Sequence, residues 1–402
     1  MTKILVADKF EERGIAKLQS MGLVISNQPE LEADQIAEQV EAVQPDILIV
    51  RGTKVNRRAI EVGKRLKLIV RAGAGYDSID VQAASENGIY VVNCPGKNSV
   101  AVAELTWGLI LACDRRIPDQ HADLRNGTWN KKIYSQAQGL KGRTLGIVGM
   151  GQIGLEVARR GMAFGMNVVA WSRSLTNEKA KELNVGFCPT LIDLAAQSDI
   201  VSVNVAASPE TEKLIDDRFV NAMRKSATLI NTSRGSVVDQ SALAKGIETK
   251  GLRLGLDVFA DEPNGGSGSF ADPIIQLSGV YGTHHVGAST DQAQMAIGEE
   301  AVRLVKVFIE TGEAENCVNL ALQTPATTNL TVRHRNQPGV LAHVFSIVGQ
   351  AGINVEKMEN IIYQDAQAAT ARIQLDAPLS EEDVSRISQN THVLAVDQSS
   401  LG

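Results

Sequence analysis

The chain has 402 residues, 44% hydrophobic and 21% charged; it is too long for one core and ordinary for a globular protein, so two or three domains are expected. Its 40 basic and 46 acidic side chains leave a net charge of −6, which argues against a general nucleic-acid binder. Cys94, Cys113, Cys188 and Cys317 stand apart, with no CxxC pair and no metal-ligand spacing, so they read as buried thiols of a reducing compartment and no metal site is expected.

The opening MTKILVADKF runs straight into a strand and holds Asp8, so no signal peptide is expected. With no apolar run of transmembrane length, the expected location is the cytoplasm, without a membrane partner. Strands at Ile4–Ala7, Ile47–Val50, Leu68–Val70 and Tyr90–Val92, with a helix near Glu11–Ser20, predict a parallel sheet covered by helices. Ligands of such sheets sit beyond the carboxyl ends of the strands, which brings two loops into view. In Arg51-Gly52-Thr53-Lys54, Arg51 and Lys54 suit a phosphate or carboxylate. In Arg71-Ala72-Gly73-Ala74-Gly75, the glycines let the N–H groups of Ala72, Gly73, Ala74 and Gly75 converge on an anion. Eight basic residues and one acidic residue, Glu61, lie from Arg51 to Arg71; Arg57, Arg58, Lys64, Arg65 and Lys67 read as solvated surface charge.

Residues 98–116 form a long apolar helix that Asn98 or Ser99 can cap and whose C-terminal dipole suits Arg115 and Arg116. Its apolar surface is wide enough to pack between domains or against another subunit. Lys131 and Lys132 follow in a polar segment with Trp129, where they either reach a second anionic group or face solvent.

Thr144–Val148 is a buried strand, and Gly149, Gly151 and Gly154 then give G-x-G-x-x-G before a helix carrying Leu155, Val157, Ala158 and Met162. The pattern follows a strand and opens a helix, with Asn167–Ala170 as the next strand, which is the setting of a dinucleotide site. Gly149, Gly151, Gln152, Ile153 and Gly154 are the candidates for the pyrophosphate, held at the helix N-terminus. An NAD-specific unit places Asp or Glu about twenty residues on, to accept from the ribose 2′-OH. This chain has Trp171-Ser172-Arg173-Ser174 there and no carboxylate before Glu178. Ser172 and Arg173 suit a 2′-phosphate, so the cofactor is expected to be NAD(H) or NADP(H).

Further strands at Ile200–Val205, Thr228–Asn231, Leu254–Val258 and Gly279–Gly282 complete this nucleotide domain, with a flexible loop at 264–269. An amphipathic helix from about Ser289 to Thr311 is expected to return to the first domain. Asn319 to Asn329 lacks any period and reads as a linker. Beyond it, Leu330–His334, Val340–Gln350, Asn354–Tyr363, Ala368–Leu375, Glu381–Gln389 and Val393–Asp397 give a βαββαβ order, a small α+β module. The expected architecture is therefore α/β, two doubly wound parallel-sheet domains plus a C-terminal α+β domain. The substrate domain spans 1–97, completed by about 287–318; the inserted dinucleotide domain spans 98–286, the linker 319–329 and the C-terminal domain 330–402.

Three polar clusters end strands of the nucleotide domain: Asn231 to Gly235, Asp257 to Phe259 with Glu262, and Thr283 to Gly287. There an arginine grips a carboxylate or polarises a carbonyl, a histidine exchanges the alcohol proton, and a glutamate steadies the imidazolium. That trio suits hydride transfer at a hydroxy acid.

The motifs RAGAGYDSID, GMGQIG, NTSRGSVVD, DVFADEP and HHVGAST resemble, over residues 1 to about 320, the D-isomer-specific 2-hydroxyacid dehydrogenases. The resemblance implies Arg234 as substrate binder, Glu262 as the histidine's partner and His285 as general acid/base. His285 is preferred to His284 because the family's histidine precedes the x-G-A/G-S-T run; His284 replaces a usual proline. Asp257 corresponds to a residue holding the nicotinamide carboxamide, and Thr232, Ser233 and Gly287 border the cofactor. Asn204 and Ala206 stand where the family usually has histidine and proline.

Within that family the chain is most similar to the D-3-phosphoglycerate dehydrogenases. RGTKV resembles their phosphate-handling R-S-x-T-K segment, one residue shorter, and Asn98 and Lys131 join the implied substrate contacts. The C-terminal module resembles an ACT domain, and HRNQPGVL with Asn354 resembles the surface that binds L-serine between two such domains, which implies His334, Asn336 and Asn354 as regulatory contacts. The implied activity is oxidation of 3-phospho-D-glycerate, the first step of L-serine synthesis, and the wide apolar helix with the ACT-like module leads to the expectation of a homodimer or homotetramer. An NADPH-linked reductase of glyoxylate or hydroxypyruvate stays open as an alternative, as does a dinucleotide-sensing regulatory protein.

Overall fold

In the computed structural model, which describes residues 1–31, 35–263, 268–321 and 323–401, the chain divides into two units, Met1–Asn319 and Leu320–Gly402. Of the loop expected at 264–269, residues 264–267 lie outside the described residues.

The apolar runs of the first unit become parallel strands buried on both faces, which is why they read as continuous hydrophobic stretches. One sheet takes β1 (Lys3–Val6), β2 (Val24–Asn27), β3 (Ile47–Val50), β4 (Leu68–Arg71) and β5 (Tyr90–Asn93) in the order β2-β1-β3-β4-β5. The other takes β6 (Thr144–Val148), β7 (Asn167–Trp171), β8 (Gly186–Phe187), β9 (Ile200–Val203), β10 (Thr228–Asn231), β11 (Arg253–Leu256) and β12 (Val280–Gly282). Its order is β12-β11-β10-β9-β6-β7-β8. Strands β2 and β8 had no sequence counterpart because both lie at a sheet edge and are largely exposed, so neither carries a sustained apolar run.

Two helices tie the sheets to their layers. Asp291–Thr311 returns to the first sheet, where Ile297, Ala301, Leu304 and Val305 pack with Ile4, Val6, Leu68 and Val70. Ser99–Arg115 instead spends its wide apolar surface on the second sheet, with Leu109, Ile110 and Cys113 against Ile147, Ile230 and Tyr281. Its Trp107 donates to the Val157 carbonyl at 3.2 Å and stacks on Phe164. Much of that surface is thus buried inside the unit, while Val100 stays exposed. The expected cap is also corrected: Asn98 makes no capping bond, and the Ser99 hydroxyl donates to the Gly96 carbonyl at 2.7 Å.

The second unit is a four-stranded antiparallel sheet of β13 (Thr328–Arg335), β14 (Val355–Ile362), β15 (Ala368–Leu375) and β16 (Val393–Ser400), ordered β14-β15-β13-β16. Helices Val340–Gln350 and Glu381–Ser388 bury Val344, Ile347, Val348 and Ile387 against Leu330, Val332, Ala371, Ile373 and Leu375. The linker is shorter than 319–329. Thr328 already pairs with Leu375 and Ser400, and Asn319 is bonded to Ile89 and Val91 of the first unit.

Asp46, buried beside β3, accepts from the Lys3 N–H at 3.0 Å and from Arg65 at 3.1 and 3.2 Å. Burial pushes its carboxyl up, but these bonds and Lys67 outweigh that and hold it below its ordinary value. A depressed carboxylate contributes stability above the unfolded pKa and loses it as pH falls through the folded one. Asp46→Asn should therefore cost about 1–3 kcal/mol near neutrality, and urea denaturation should show the gap to the parent narrowing below about pH 4. A gap independent of pH would contradict this.

Candidate functional site

The cofactor cradle follows from what a side chain would strike. Gly149 has φ +97 and an added Cβ would sit 2.8 Å from the Asn204 carbonyl; a Cβ on Gly154 would strike the Gly149 carbonyl. Gly151 precedes the helix Gln152–Ala163 with no side chain capping it and open space where its Cβ would be. The first-turn N–H groups, including those of Gln152 and Ile153, thus remain for an anion, and the residues fit a pyrophosphate. Beyond β7, Ser172 and the exposed Arg173 take the place of a carboxylate, and Arg173 Nη1 lies 4.0 Å from Glu210 Oε2. The side chains of Thr232 and Ser233 are engaged inside the fold, Thr232 with Thr106 at 2.9 Å and Ser233 with Asn231 Oδ1 at 2.7 Å.

Arg234, Glu262 and His285 meet past the ends of β10, β11 and β12. The Nδ1 of His285 lies 2.7 Å from Glu262 Oε2, while Glu262 Oε1 accepts from the Phe259 N–H at 2.9 Å. Burial raises the Glu262 carboxyl, but His285, the Phe259 N–H and the charge of Arg234 outweigh it and hold it below its ordinary value. An ionised carboxylate at Nδ1 selects the Nδ1–H tautomer, leaving the Nε2 lone pair facing outward as a base. His285 itself sits at φ +52, a left-handed conformation costly for a side-chain-bearing residue. Asp257 holds it there: its carboxylate accepts from Thr283 Oγ1 at 2.6 Å, Val286 N at 3.0 Å and Gly287 N at 2.9 Å. His284 is exposed on the same loop.

The facing loops of the first sheet differ from the sequence reading in two ways. After β3, the N–H groups of Arg51, Gly52 and Thr53 all donate to Asp8 Oδ2, at 2.6, 3.1 and 3.1 Å. The chain's own carboxylate fills that nest, so an external anion there meets only the heads of Arg51 and Lys54. After β4, the Ala72 and Gly73 N–H groups are bonded to Val50 and Arg71, leaving those of Ala74 and Gly75. The glycines serve a different purpose: an added Cβ on Gly73 would overlap the Arg71 guanidinium, and one on Gly75 would overlap that of Arg234.

Arg71 and Asp77 were missed by sequence reading. Arg71 ends β4 with its Nε buried and unpartnered, and its pKa is pushed down to about 10 by burial, then by the nearby charges of Arg234 and Arg51. Its signal was an arginine closing the apolar run LIVR. Asp77 accepts from Arg234 Nε and Nη2, both at 3.0 Å; burial raises its carboxyl, but Arg234 outweighs that and holds it low. Asn98, at the start of the helix Ser99–Arg115, leaves its Oδ1 buried and unpartnered. Lys131 lies in a one-turn helix, Lys131–Tyr134, rather than a loop, and is exposed.

In the second unit the three regulatory candidates are not brought together. His334 is buried, with its Nδ1 2.8 Å from the Arg335 carbonyl and its Nε2 3.2 Å from Asn360. It shares strand parity with Leu330 and Val332, a signal readable in the sequence. Asn336 donates to the Ala366 carbonyl at 3.1 Å, and Asn354 to Glu356 at 2.7 Å. Through the register, Val355 is level with Leu375 and Thr328, whereas His334 is level with Ala369 and Ile362. Asn354 is therefore roughly 20 Å from His334 along the strands.

A glycine cradle on one parallel sheet, facing a charged cluster at the strand ends, defines a two-lobed dinucleotide-binding class. Residues 107–287 match the D-isomer specific 2-hydroxyacid dehydrogenase, NAD binding domain, and residues 328–359 match the ACT domain. The chain is 39% identical over 284 residues to the hydroxypyruvate reductase of Thermotoga maritima, covering 70% of this chain and 89% of that protein. It is 38% identical over 322 residues to the D-3-phosphoglycerate dehydrogenase of Methanocaldococcus jannaschii, covering 80% of this chain but only 60% of that protein's length. The NADPH-dependent glyoxylate/hydroxypyruvate reductase of Sinorhizobium meliloti, solved with NADP and malonate, superposes with a TM-score of 0.68 at 29% identity, covering 79% of this chain and 96% of that one. The chain belongs to the D-isomer-specific 2-hydroxyacid dehydrogenases, and a nicotinamide cofactor goes with that family. Among the described residues no helix is long and apolar enough to cross a membrane.

Asp257 makes three bonds to a single loop from a buried position. Asp257→Ala should cost about 2–4 kcal/mol in chemical denaturation, the scale of lost charged hydrogen bonds. A loss below 1 kcal/mol would show that the loop does not depend on it.

Proposed function

We propose that this chain is a nicotinamide-dependent oxidoreductase that interconverts 3-phospho-D-glycerate and 3-phosphohydroxypyruvate, opening L-serine synthesis. The observation that carries the reading is charge. The charges of Arg51, Arg234 and Asp77 all reach the buried Arg71 guanidinium, which puts three arginines at one cleft. A simple hydroxy acid brings one negative charge; a phosphoryl group adds about two more, which suits this excess of guanidinium. When bound in the glycine cradle, the nicotinamide supplies the hydride acceptor. Arg234 grips the substrate carboxylate, while Nε2 of His285 takes the C2 hydroxyl proton and Glu262 steadies the imidazolium. In reduction the same nitrogen returns the proton.

A second reading, an NADPH-linked reductase of hydroxypyruvate or glyoxylate, is favoured by two features: Arg173 replaces a carboxylate beyond β7, and Asp8 fills the nest at 51–53. The name of the Thermotoga maritima relative points the same way. Arg173 and Ser172 support use of NADP(H) alongside NAD(H). For the second unit, L-serine is the proposed ligand. Assembly into at least a homodimer is supported by the helix Ile117–Arg125, which buries no residue and exposes Ile117 and Leu124 near exposed Trp129 and Ile133.

A side-by-side assay of phosphohydroxypyruvate, hydroxypyruvate and glyoxylate with NADH and NADPH tests the choice, with L-serine titrated into the same reactions. The phosphorylated substrate should have the highest kcat/KM, and Arg51→Ala should reduce that value at least about tenfold more than for hydroxypyruvate. Equal losses, or a preference for glyoxylate, would favour the second reading. His285→Ala should lower kcat by about 10²–10⁴ while the affinity for NADH stays within twofold or so. Undiminished turnover would remove His285 from the chemistry.

A further inference from the structure

Arg234 is held from the opposite lobe. It follows β10 in the second sheet, whereas Asp77 lies beyond β4 in the first, 157 residues earlier in the chain. Two parallel bonds join them, Nε to Oδ2 and Nη2 to Oδ1, each 3.0 Å long. Nη1 donates to the Ser233 carbonyl at 2.7 Å. The loop is shaped to permit this crossing: a Cβ on Gly75 would overlap Arg234 Nη2 and lie 3.0 Å from Asp77 Oδ1.

A guanidinium has five N–H donors in a fixed plane. Asp77 uses two and Ser233 one, which leaves one N–H on each of the adjacent nitrogens Nη1 and Nη2. A carboxylate is matched by such a pair. Asp77 takes the Nε–Nη2 edge and leaves that pair of donors unbonded to it.

We propose that Asp77 is the positioning residue for Arg234, clamping the Nε–Nη2 edge across the two lobes so that the remaining pair of donors is aimed at the substrate's carboxylate. This rests on Arg234 as the carboxylate binder, and the consequences of the two assignments separate cleanly. Positioning acts on recognition: without Asp77 the long arginine side chain samples other rotamers, and the donor pair is aimed only part of the time. Proton exchange at His285 is then affected less than substrate capture.

The test uses oxalate, a dicarboxylate that needs no turnover, titrated calorimetrically into the cofactor-loaded protein. Asp77→Asn keeps the shape but removes the charge, and should weaken oxalate binding at least tenfold and raise KM by a similar factor, with a smaller change in kcat. Unaltered affinity for the reduced cofactor, read by fluorescence, establishes that the variant is folded. In an Arg234→Ala background, adding Asp77→Asn should bring no further loss. Unchanged oxalate affinity in Asp77→Asn overturns the proposal, and so does tighter binding, which would make Asp77 a competitor. If Arg234→Ala itself leaves oxalate affinity intact, the assignment of Arg234 fails and the role of Asp77 falls with it.

Discussion

The carboxylate of Asp257 is the constraint on which the rest of the site hangs. It lies just past β11 and accepts three hydrogen bonds from residues 283–287, while its own carbonyl accepts from the His285 N–H. Two consecutive strand ends are thereby knotted together, and the strained backbone at His285 is over-determined rather than merely tolerated. Glu262 is fixed as locally, by the Phe259 N–H three residues upstream. The His285–Glu262 pair is thus assembled from one strand-end region, before any contact with the first sheet.

The arginine side of the cleft is built on the opposite principle, of groups brought together from afar. Arg71 reaches the cleft along a buried strand, Arg234 reaches it from the other sheet, and Gly73 and Gly75 give up their side chains to make room. Burial and mutual repulsion leave Arg71 less basic than usual, at about 10. An anion bound beside these guanidinium groups would relieve that repulsion.

What was legible in the sequence divides along the same line. Buried parallel strands are continuous apolar runs, so β3, β6 and β10 were readable to within a residue, and the glycine pattern and strand-end motifs marked one half of the cleft. The edge strands β2 and β8 carry no such run. Arg71 and Asp77 gained their significance from a partner 157 or more residues away, and spacing along the chain holds no trace of that approach. The basic stretch before β4 was partly legible as surface charge: Arg57 pairs with Glu86, and Arg65 and Lys67 with Asp46. His334 entered as a regulatory contact only through the resemblance of HRNQPGVL to an ACT surface, while its alternation with Leu330 and Val332 puts it on the buried face of β13.

The register of the second unit reaches further than the placement of three side chains. Asn354 and Asn336 lie at opposite ends of one small sheet, so an effector that touches both ends at once needs two copies laid against each other. Its occupancy is then linked by mass action to assembly. For such an effector, dilution would weaken binding and binding would in turn draw chains together, so its occupancy would follow the product of effector and protein concentration rather than effector alone.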